Sequence, residues 1–418
     1  MSAAGKCDVV VIGAGIIGAM SALYLQADGR SVTLLERGDV ARGASHGNAG
    51  ILAFPEIIPI PAPGIMKKAP RWLVDPLGPL SIPPAYALRI APWLWRFWRA
   101  SSPQAFRHGL KVQTAMMQLA AAEMQRIAQM PELSRFISTT GTLDLYDSEA
   151  SFNNAASHDW QEKAKAGFNF SCVGRAEIEQ LQPGLAPQFR HAMYTPGGLQ
   201  VSDPYEFTKA IADLAASRGV EIRKGEAVRV EPAGDGAIVT LAGGKRLEAA
   251  KGVIAGGAWS KALSSGLGDR LPLETERGYN TTLPRQSFNL SRQLYFNDHG
   301  FVVTPLARGI RVGGAVELGG LDLPPNYRRS EALLAKAGRF LPGLNTEGGS
   351  QWMGFRPSMP DCLPVIGSSK ASPAVVYAFG HGHLGLTQSA ATGRLVSDLV
   401  CGRSPAISVE PFRPGRFA

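Results

Sequence analysis

The first forty residues carry a glycine spacing that restricts how this chain can fold. An apolar, β-branched run, DVVVI (8–12), is followed by Gly13, Gly15 and Gly18 in the spacing G-x-G-x-x-G. Next come a helical pattern, IIGAMSALYLQADG, and a second strand-like run, SVTLLE, which ends at Glu36. A buried strand, a glycine-rich turn, a helix and a second strand in this order predict a βαβ unit that binds a dinucleotide.

Each part of this unit has a physical purpose. In order along the chain, the three glycines permit a sharp turn, a close approach of backbone to a pyrophosphate, and tight packing of helix on strand. The first helical amides, at Ile16 and Ile17, direct the positive end of the helix dipole toward the phosphates. The Glu36 carboxylate stands where it can accept hydrogen bonds from ribose hydroxyls. The unit alone does not distinguish NAD from FAD.

The segment after the second strand favours FAD. It continues as a glycine-rich loop with polar side chains, RGASHGNAG (42–50), where a simple NAD enzyme would begin another βα unit. Such a loop suits a long, extended cofactor. We expect Ser45 and the amides around it to reach the phosphates, and the backbone of 48–50 to lie near the flavin ring. The predicted contacts of this region are Arg37, Arg42, Ala44, Ser45, Asn48, Ala49 and Gly50.

The C-terminal third holds a second strand, turn and helix pattern. WMGFRPSMPDCLPVIG (352–367) precedes the strand-like AVVYAFG (374–380), the turn HGHLG (381–385) and a helical pattern. Backbone amides at such a turn stabilise negative charge, and the expected recipient is the N1–O2 edge of the isoalloxazine. The predicted cofactor contacts are Gly382, His383, Leu384, Gly385, Leu386 and Thr387. We expect His381 to face the substrate; the alternative for both histidines is a packed or hydrogen-bonded turn residue.

The opening block, VVVIGAGIIG…VTLLER…RGASHGNAG, resembles the amino-acid oxidoreductase family of flavoproteins. That family includes D-amino-acid oxidase, glycine and sarcosine oxidases and bacterial D-amino-acid dehydrogenase. The resemblance is specific at residues 8–50, 276–280 and 352–394 and looser between 51 and 270. Within the looser part, GVIAGGAWS (252–260) is similar to the family. The resemblance implies FAD as cofactor, with Gly256 near it and Val228 near its adenine.

The resemblance also implies substrate-binding residues. GFRPSMPD is similar to the family's G-x-R-P segment, so Arg356 is expected to bind the substrate carboxylate through a planar, two-point contact. The alternative is a structural salt bridge. ERGYN (276–280) places Tyr279 as a second contact to the substrate, or as a buried tyrosine with a satisfied hydroxyl. His46 occupies a substrate-side position where the bacterial D-amino-acid dehydrogenase typically has an aromatic or small residue.

The function implied is amino-acid catabolism by transfer of a hydride from Cα of a small amino or imino acid to flavin N5. GFRPSMPDCLPVIG and GHGHLGLTQSAATG favour the D-amino-acid dehydrogenase branch, with a D-amino acid or a D-proline or D-hydroxyproline-like substrate. A glycine or sarcosine-type oxidase using O₂, and oxidation of an N-substituted amino acid such as an opine, stay open. The electron acceptor is then a quinone, the respiratory chain or O₂. The sequence leaves the chirality of the substrate and the oligomeric state open.

The predicted fold is α/β plus β. A Rossmann-like FAD-binding domain is expected from the discontinuous segments 1–85, 174–262 and 345–418. A second, α+β substrate domain is expected from 86–173 and 263–344, built on an antiparallel sheet. LYFNDHGFVVTPL and IRVGGAVELG have the alternation and turn residues of its hairpins.

Two segments after the flavin loop have distinctive compositions. Residues 55–84 are rich in proline, which predicts an extended covering loop. Residues 88–100 predict an amphipathic helix, with Ile90, Trp93, Leu94, Phe97 and Trp98 on one face and Arg89, Arg96 and Arg99 on the other. Such a helix either faces the protein core or lies in a membrane interface.

Composition excludes several other classes. The net charge of +9 over 418 residues comes from scattered basic residues, which argues against a nucleic-acid partner. The 4 cysteines form no C-x-x-C pair, so neither a metal site nor a disulfide framework is predicted, and a reducing compartment is favoured. No apolar stretch reaches the roughly 18 residues needed to cross a bilayer. We expect the cytoplasm, with or without contact to the inner face of the cell membrane.

Overall fold

A computed structural model describes residues 7–65, 78 and 80–417. Its strands, in chain order, are β1 (Cys7–Ile12), β2 (Val32–Glu36), β3 (Ile51–Leu52), β4 (Leu80–Ser81), β5 (Ile137–Thr139), β6 (Thr142–Tyr146), β7 (Ser171–Gly174), β8 (His191–Thr195), β9 (Leu199–Val201), β10 (Glu221–Lys224), β11 (Ala227–Ala233), β12 (Gly236–Leu241), β13 (Arg246–Ile254), β14 (Glu274–Leu283), β15 (Gln293–Phe296), β16 (Phe301–Leu306), β17 (Gly309–Leu318), β18 (Ser350–Ser358), β19 (Val365–Ser368) and β20 (Val375–Phe379).

The helices surround these strands. They are α1 (Ile16–Ala27), α2 (Ala87–Ala100), α3 (Pro103–Ala128), α4 (Pro131–Ser134), α5 (Glu149–Ser157), α6 (Asp159–Lys165), α7 (Arg175–Leu181), α8 (Pro204–Ser217), α9 (Ser260–Gly266), α10 (Arg328–Phe340) and α11 (Gly385–Val400).

The first sheet has the strand order β10-β2-β1-β13-β12-β11. β13 is long enough to take two neighbours on one edge, because its first half pairs with β12 and its last residues pair with β20. β10, β2, β1, β13 and β20 run parallel to one another. The apolar runs of β1 and β20 are buried, as expected of parallel strands covered on both faces.

The N-terminal βαβ unit forms as its glycine spacing predicts. Gly13 has φ +102°, and a Cβ there would lie 2.7 Å from the carbonyl oxygen of Ala255. A Cβ on Gly18 would lie 1.8 Å from the Gly13 carbonyl oxygen. The first glycine therefore makes the turn, and the third allows α1 to pack directly on the turn.

The second sheet has the order β18-β14-β17-β16-β15-β6-β8-β7, with β4 added beside β17. The hairpins predicted for LYFNDHGFVVTPL and IRVGGAVELG are confirmed as the antiparallel series β15, β16 and β17. One face of this sheet packs against α10, with a core that includes Phe189, Phe296 and Phe340. The α/β plus antiparallel-sheet architecture is therefore as predicted. A small third sheet, β3-β9-β5, lies apart from both.

The chain leaves the antiparallel sheet later than the predicted segment boundaries at 174 and 345. β8 and β18 follow those boundaries, yet both belong to the antiparallel sheet because β8 pairs with β6 and β18 pairs with β14. The proline-rich stretch 55–84 is described only in part, since 66–77 and 79 lie outside the described residues. Within its described part, residues 55–64 contain no helix or strand, and β4 follows at Leu80–Ser81.

α2 buries one side and exposes another. Ile90 and Trp93 pack with Leu318, as expected of a core-facing helix. Leu88, Trp95 and Trp98 are 91%, 50% and 54% exposed, so Trp98 does not share the buried side as its helical position predicted. Within the described ranges, no helix combines the length and apolarity that a membrane span requires.

Candidate active site

Four loops meet at one edge of the first sheet, where its parallel strands end. Gly13 follows β1, Glu36 ends β2, Ala255 follows β13 and Gly380 follows β20. The Gly13 amide donates to the Leu35 carbonyl at 2.7 Å, and the Ala255 amide donates to that of Ile12 at 2.9 Å. In doubly wound proteins, the ligand lies outside the carboxyl ends of such strands.

The N-terminus of α1 is built to face an anion. Gly15 is its N-cap and provides no side-chain cap, and its first turn contains no acidic residue. The Ile16 amide donates to Ser45 Oγ at 2.9 Å, which ties this helix end to the predicted flavin loop. Glu36 accepts from the Ala14 amide at 2.8 Å, so its carboxylate lies directly beside the turn.

The residues predicted around the adenosine end lie beside Glu36. The Gly225 amide donates to the Glu36 carbonyl at 2.8 Å, which brings the start of β11 and the exposed Val228 to this edge. The Arg37 guanidinium stacks on the Trp259 ring at 3.9 Å from its centroid. The Trp259 amide in turn donates to the Gly256 carbonyl at 3.2 Å.

Loop 42–50 holds its shape through its own side chains. Asn48 Nδ2 donates to the Ser45 carbonyl at 3.2 Å, and Asn48 Oδ1 accepts from the Gly50 amide at 2.9 Å. Arg42 lies 3.2 Å from His46 Nε2. Burial and the neighbouring Arg42 charge lower the pKa of His46, which favours its neutral form. Ala44 and Ala49 are half-buried in the same loop.

The second sheet closes over this loop. Asn280 Nδ2 donates to the Gly47 carbonyl at 2.8 Å, and Arg311 Nη1 donates to the Asn48 carbonyl at 2.5 Å. A Cβ on Gly47 would lie 2.3 Å from the Trp352 ring, so the loop backbone packs flat on that side chain. Sequence reasoning missed these contacts, although Asn280 and Trp352 belong to the segments that it singled out.

Arg356 lies on the same face of the second sheet. In the antiparallel register of β14 and β18, Glu276 pairs with Arg356, Gly278 with Gly354, and Asn280 with Trp352. Because directly paired residues point to one face, Arg356 shares the face that contacts the flavin loop. A Cβ on Gly278 would lie 2.3 Å from Arg356 Nη2, so the guanidinium lies flat across this glycine.

The Arg356 guanidinium is held by a backbone carbonyl. Its Nη1 donates to the carbonyl of Ala315 at 3.0 Å. Within the described residues this is its one hydrogen bond, and no carboxylate lies within the 4.0 Å of an ion pair. Burial lowers the pKa of Arg356, and the Glu276 charge opposes that shift. The guanidinium therefore has donors left for an anionic ligand.

Tyr279 points to the opposite face. Its hydroxyl donates to Glu317 Oε1 at 3.0 Å and accepts from the Asn326 amide at 3.0 Å. Alternation along β14 puts Gly278 and Asn280 on the Arg356 face and Tyr279 on the other. This corrects the expectation of a substrate contact: the arrangement is that of a buried tyrosine with a satisfied hydroxyl.

The turn before α11 joins the two sheets. His381 forms an isolated antiparallel bridge with Ser358 at the end of β18. A 3-10 turn, Gly382–Leu384, then leads into α11 at Gly385, as predicted. The Ala53 amide donates to Thr387 Oγ1 at 3.0 Å, so the first turn of α11, which includes Leu386, also contacts the segment after the flavin loop.

The two histidines of this turn differ. His381 is 3% exposed, and its Nε2 lies 2.9 Å from Thr392 Oγ1. Burial lowers its pKa to about 3, so it is neutral at physiological pH and matches the alternative of a packed turn residue. The His383 side chain is exposed to a cavity instead. The protein around this cavity still removes part of its hydration and lowers its pKa, while the charges of Glu276 and Glu56 raise the pKa and that of Arg356 lowers it further.

This arrangement fits FAD. A glycine turn and a helix end whose first turn contains no acidic residue suit the pyrophosphate, and the loop 42–50 runs from there to the face that carries Arg356. Asn280 Oδ1 and His381 Nδ1 are buried without a hydrogen-bond partner in the described part of the chain, as expected beside a polar ligand. Among the described residues, no group of three or more His, Cys, Asp or Glu side chains is placed to hold a metal ion.

Known proteins show the same architecture. The D-amino-acid oxidase of Bradyrhizobium diazoefficiens is 35% identical over 424 residues, with 98% of each chain covered. Glycine oxidase from Geobacillus kaustophilus superposes with a TM-score of 0.75 at 23% identity, covering 98% of this chain and 99% of that one. L-Proline dehydrogenase from P. horikoshii gives a TM-score of 0.75 at 19% identity, covering 99% and 98%.

A family model confirms the cofactor class that the glycine loops and the sheet edge indicate. The model described as FAD dependent oxidoreductase matches residues 8–399, which is nearly the whole chain. This protein is a member of the DAO family of FAD-dependent oxidoreductases.

Proposed function

We propose that this enzyme oxidises a small amino or imino acid at Cα, with Arg356 binding the substrate carboxylate. The observation that carries the proposal is the position of Arg356. Its guanidinium lies on the sheet face that covers the flavin loop, and one backbone carbonyl is its only hydrogen-bond partner among the described residues. A buried guanidinium with free donors is suited to a two-point contact with a carboxylate.

The chain's own residues then orient the substrate. FAD, when bound, supplies the acceptor for the two electrons and the hydrogen removed from Cα. Arg356 fixes the carboxylate, and Gly278 leaves the space in which the guanidinium lies. Asn280 and Arg311 hold the loop 47–48 against the same face. Orientation of this kind accounts for a large part of the rate of such reactions.

The names of the relatives support this substrate class. D-Amino-acid oxidase, glycine oxidase, iminodiacetate oxidase and L-proline dehydrogenase are all named for an amino or imino acid. We propose a D-amino acid or a D-proline or D-hydroxyproline-like imino acid as substrate, with its two electrons passed on to a quinone or the respiratory chain. An oxidase of glycine or sarcosine type that uses O₂ is the second candidate, because the relative with 35% identity is an oxidase.

Anaerobic bleaching of the flavin tests the proposal. The holoenzyme is mixed with D- and L-amino acids, both prolines, hydroxyprolines, glycine, sarcosine and an opine, and air is then admitted. Bleaching by an amino or imino acid supports the proposal; slow recolouring in air indicates a dehydrogenase, and fast recolouring an oxidase. A yellow protein that none of these compounds bleaches would contradict it.

We also propose that α2 makes a peripheral contact with the inner face of the cell membrane. Leu88, Trp95 and Trp98 are exposed on one side of this helix, and Arg99 lies 4.9 Å from the Trp95 ring centroid. Exposed aromatic residues beside arginines suit a membrane interface. The four free cysteines suit the reducing cytoplasmic side.

Flotation with anionic lipid vesicles tests this contact. We expect the wild type to float with the vesicles and the W95A/W98A variant to remain below them. The control is Ile222→Ala, which removes an exposed apolar side chain on β10. Equal flotation of the wild type and W95A/W98A, or none at all, would contradict the contact.

A further inference from the structure

A second cavity, which Arg356 does not line, lies where α2 meets α3. Its volume is about 360 Å³, within the range of about 300–1,000 Å³ that is usual for small-molecule sites. Ala100, the last residue of α2, lines it together with Ala105 and His108 from the first turns of α3. Residues of the C-terminal segment 410–416 line it as well. The space is large enough for the ring of an organic molecule.

The walls of this cavity are mainly apolar. Pro59, Pro61, Phe106, Leu363 and Pro411 all contribute to them. Contact with such side chains removes apolar ligand surface from water, which favours binding of a ligand that is itself apolar.

The charged side chains around the cavity are paired with one another. Arg413 Nη1 lies 2.7 Å from Glu410 Oε1, and Arg416 Nε lies 2.7 Å from Asp361 Oδ2. Two arginines and two carboxylates leave no net charge that would attract an anion or a cation. A neutral ligand therefore fits these walls better than a charged one such as an amino acid.

His108 adds a polar group that the protein leaves free. The residue is exposed, and its ring has no hydrogen-bond partner in the described ranges. An imidazole N–H can donate to the carbonyl oxygen of a ligand. Apolar walls with a single donor suit an apolar ring that carries carbonyl groups.

This cavity adjoins the turn that is predicted to meet the flavin. A much smaller cavity is lined by His383 and Leu384 of that turn. Pro59, Asp361 and Leu363 line both cavities, so the two meet at these three residues. A ligand in the larger cavity would therefore lie close to the predicted flavin position without occupying the substrate site.

We propose that the cavity between α2 and α3 binds the head group of a membrane quinone. The inference rests on the proposed function, because it assigns a site to the electron acceptor named there. α2, whose exposed Trp95 and Trp98 are proposed to contact the membrane, ends at Ala100 in the cavity wall. A lipid-soluble ligand thus has a short route from the membrane into the cavity. The quinone takes up the two electrons and two protons that the amino acid loses, so both of its carbonyl groups become hydroxyl groups and the flavin returns to its oxidised state.

Binding of decylubiquinone to the oxidised holoenzyme tests the site directly. Titration calorimetry in a mild detergent gives its Kd without substrate or turnover. In Ala105→Trp the indole fills the cavity, and we expect Kd to rise at least about tenfold. In His108→Leu the donor is lost, and Kd should rise about fivefold. Ala122→Trp, at an exposed position of the same helix, is the control and should bind as the wild type does.

Reoxidation of the flavin shows whether the bound quinone accepts electrons. The holoenzyme is photoreduced without air and then mixed with decylubiquinone or with ferricyanide, a highly charged ion that the apolar cavity does not suit. With the quinone, we expect Ala105→Trp to recolour at least about tenfold more slowly than the wild type. With ferricyanide, the two should recolour at the same rate. Flavin content and melting temperature show that each variant is folded and loaded.

The outcomes separate this inference from the proposed substrate. A wild type that does not bind decylubiquinone, or an unchanged Kd in Ala105→Trp, would overturn the quinone site. If Ala105→Trp does not fold, an unchanged Kd in His108→Leu would overturn it instead. Quinone that binds but leaves the photoreduced flavin colourless would also overturn it. A wild type that binds and reduces the quinone, yet is bleached by no amino or imino acid, would overturn the proposed substrate and support the quinone site.

Discussion

Arg356 Nη1 donates a hydrogen bond of 3.0 Å to the carbonyl of Ala315, a residue with φ 57° at an irregularity where β17 pairs with β14. The extra residue that β17 carries there turns the Ala315 carbonyl out of the ladder and toward the guanidinium. The bulge thus fixes the direction of Arg356 without neutralising its charge. A carboxylate partner would have held the arginine equally well, but it would have competed with the substrate.

The bulge makes Ala315 sensitive to branching at Cβ. Valine tolerates positive φ poorly, so Ala315→Val should lower the free energy of unfolding by about 1–3 kcal/mol and raise KM as Arg356 loses its carbonyl partner. Ala315→Gly, which suits this backbone conformation, is the matched control and should retain the wild-type KM. Equal KM values for wild type and Ala315→Val would show that the bulge does not position Arg356.

Gly278 leaves the space that the guanidinium occupies. Its Cβ in Gly278→Ala would stand 2.3 Å from Arg356 Nη2, so the guanidinium must move off the strand. We expect KM for the amino-acid substrate to rise about tenfold or more, with the flavin content retained. Gly243→Ala, in a turn where the new Cβ meets nothing within 4 Å, is the control. An unchanged KM in Gly278→Ala would argue against this placement of Arg356.

Gly18 controls the packing of α1 on the glycine turn. Gly18→Ala would place a Cβ 1.8 Å from the Gly13 carbonyl oxygen. Because this oxygen belongs to the backbone, it cannot move aside as the end of a flexible side chain could. We therefore expect the purified variant to retain less FAD, measured as the ratio of flavin to protein absorbance. Gly266→Ala introduces the same methyl group into α9 with open space around it and should keep full flavin content. Full flavin content in both variants would contradict the assigned role.

The buried His381 makes the free energy of unfolding depend on pH. Its pKa is lowered to about 3 in the folded chain by burial, whereas an unfolded histidine titrates near 6.5. The stability that it contributes is therefore present above pH 6.5 and is lost as the pH falls toward 3. Between pH 8 and pH 5, the free energy of unfolding should fall by about 2 kcal/mol more in the wild type than in His381→Gln. Parallel stability curves for the two proteins in chemical denaturation would refute a buried neutral histidine.

Local pattern was enough to predict the first βαβ unit and the C-terminal turn. A glycine spacing between two apolar runs specifies β1, α1 and β2 because only that turn satisfies the steric demands at Gly13 and Gly18. The DAO membership expected from these segments is confirmed across residues 8–399. The role of Arg356 stays a prediction, although its position on the sheet agrees with it.

Contacts between residues that are distant in the sequence could not be predicted from local pattern. Alternation along β14 separates Tyr279 from Gly278, but the sequence does not say which face meets the flavin loop. The bulge at Ala315 depends on the pairing of β14 with β17. The pairing of Glu56 with Lys163 joins residues 107 positions apart through tertiary packing, and no local pattern marks it.

The central claim is that Arg356 recognises a carboxylate on the substrate, and anaerobic single-turnover bleaching tests it most directly. The rate for the best amino acid is compared with that for its α-carboxamide, in the wild type and in Arg356→Gln. We predict at least about a hundredfold preference for the amino acid in the wild type and little preference in the variant. Equal preference in the two proteins, both with full flavin content, would contradict the claim.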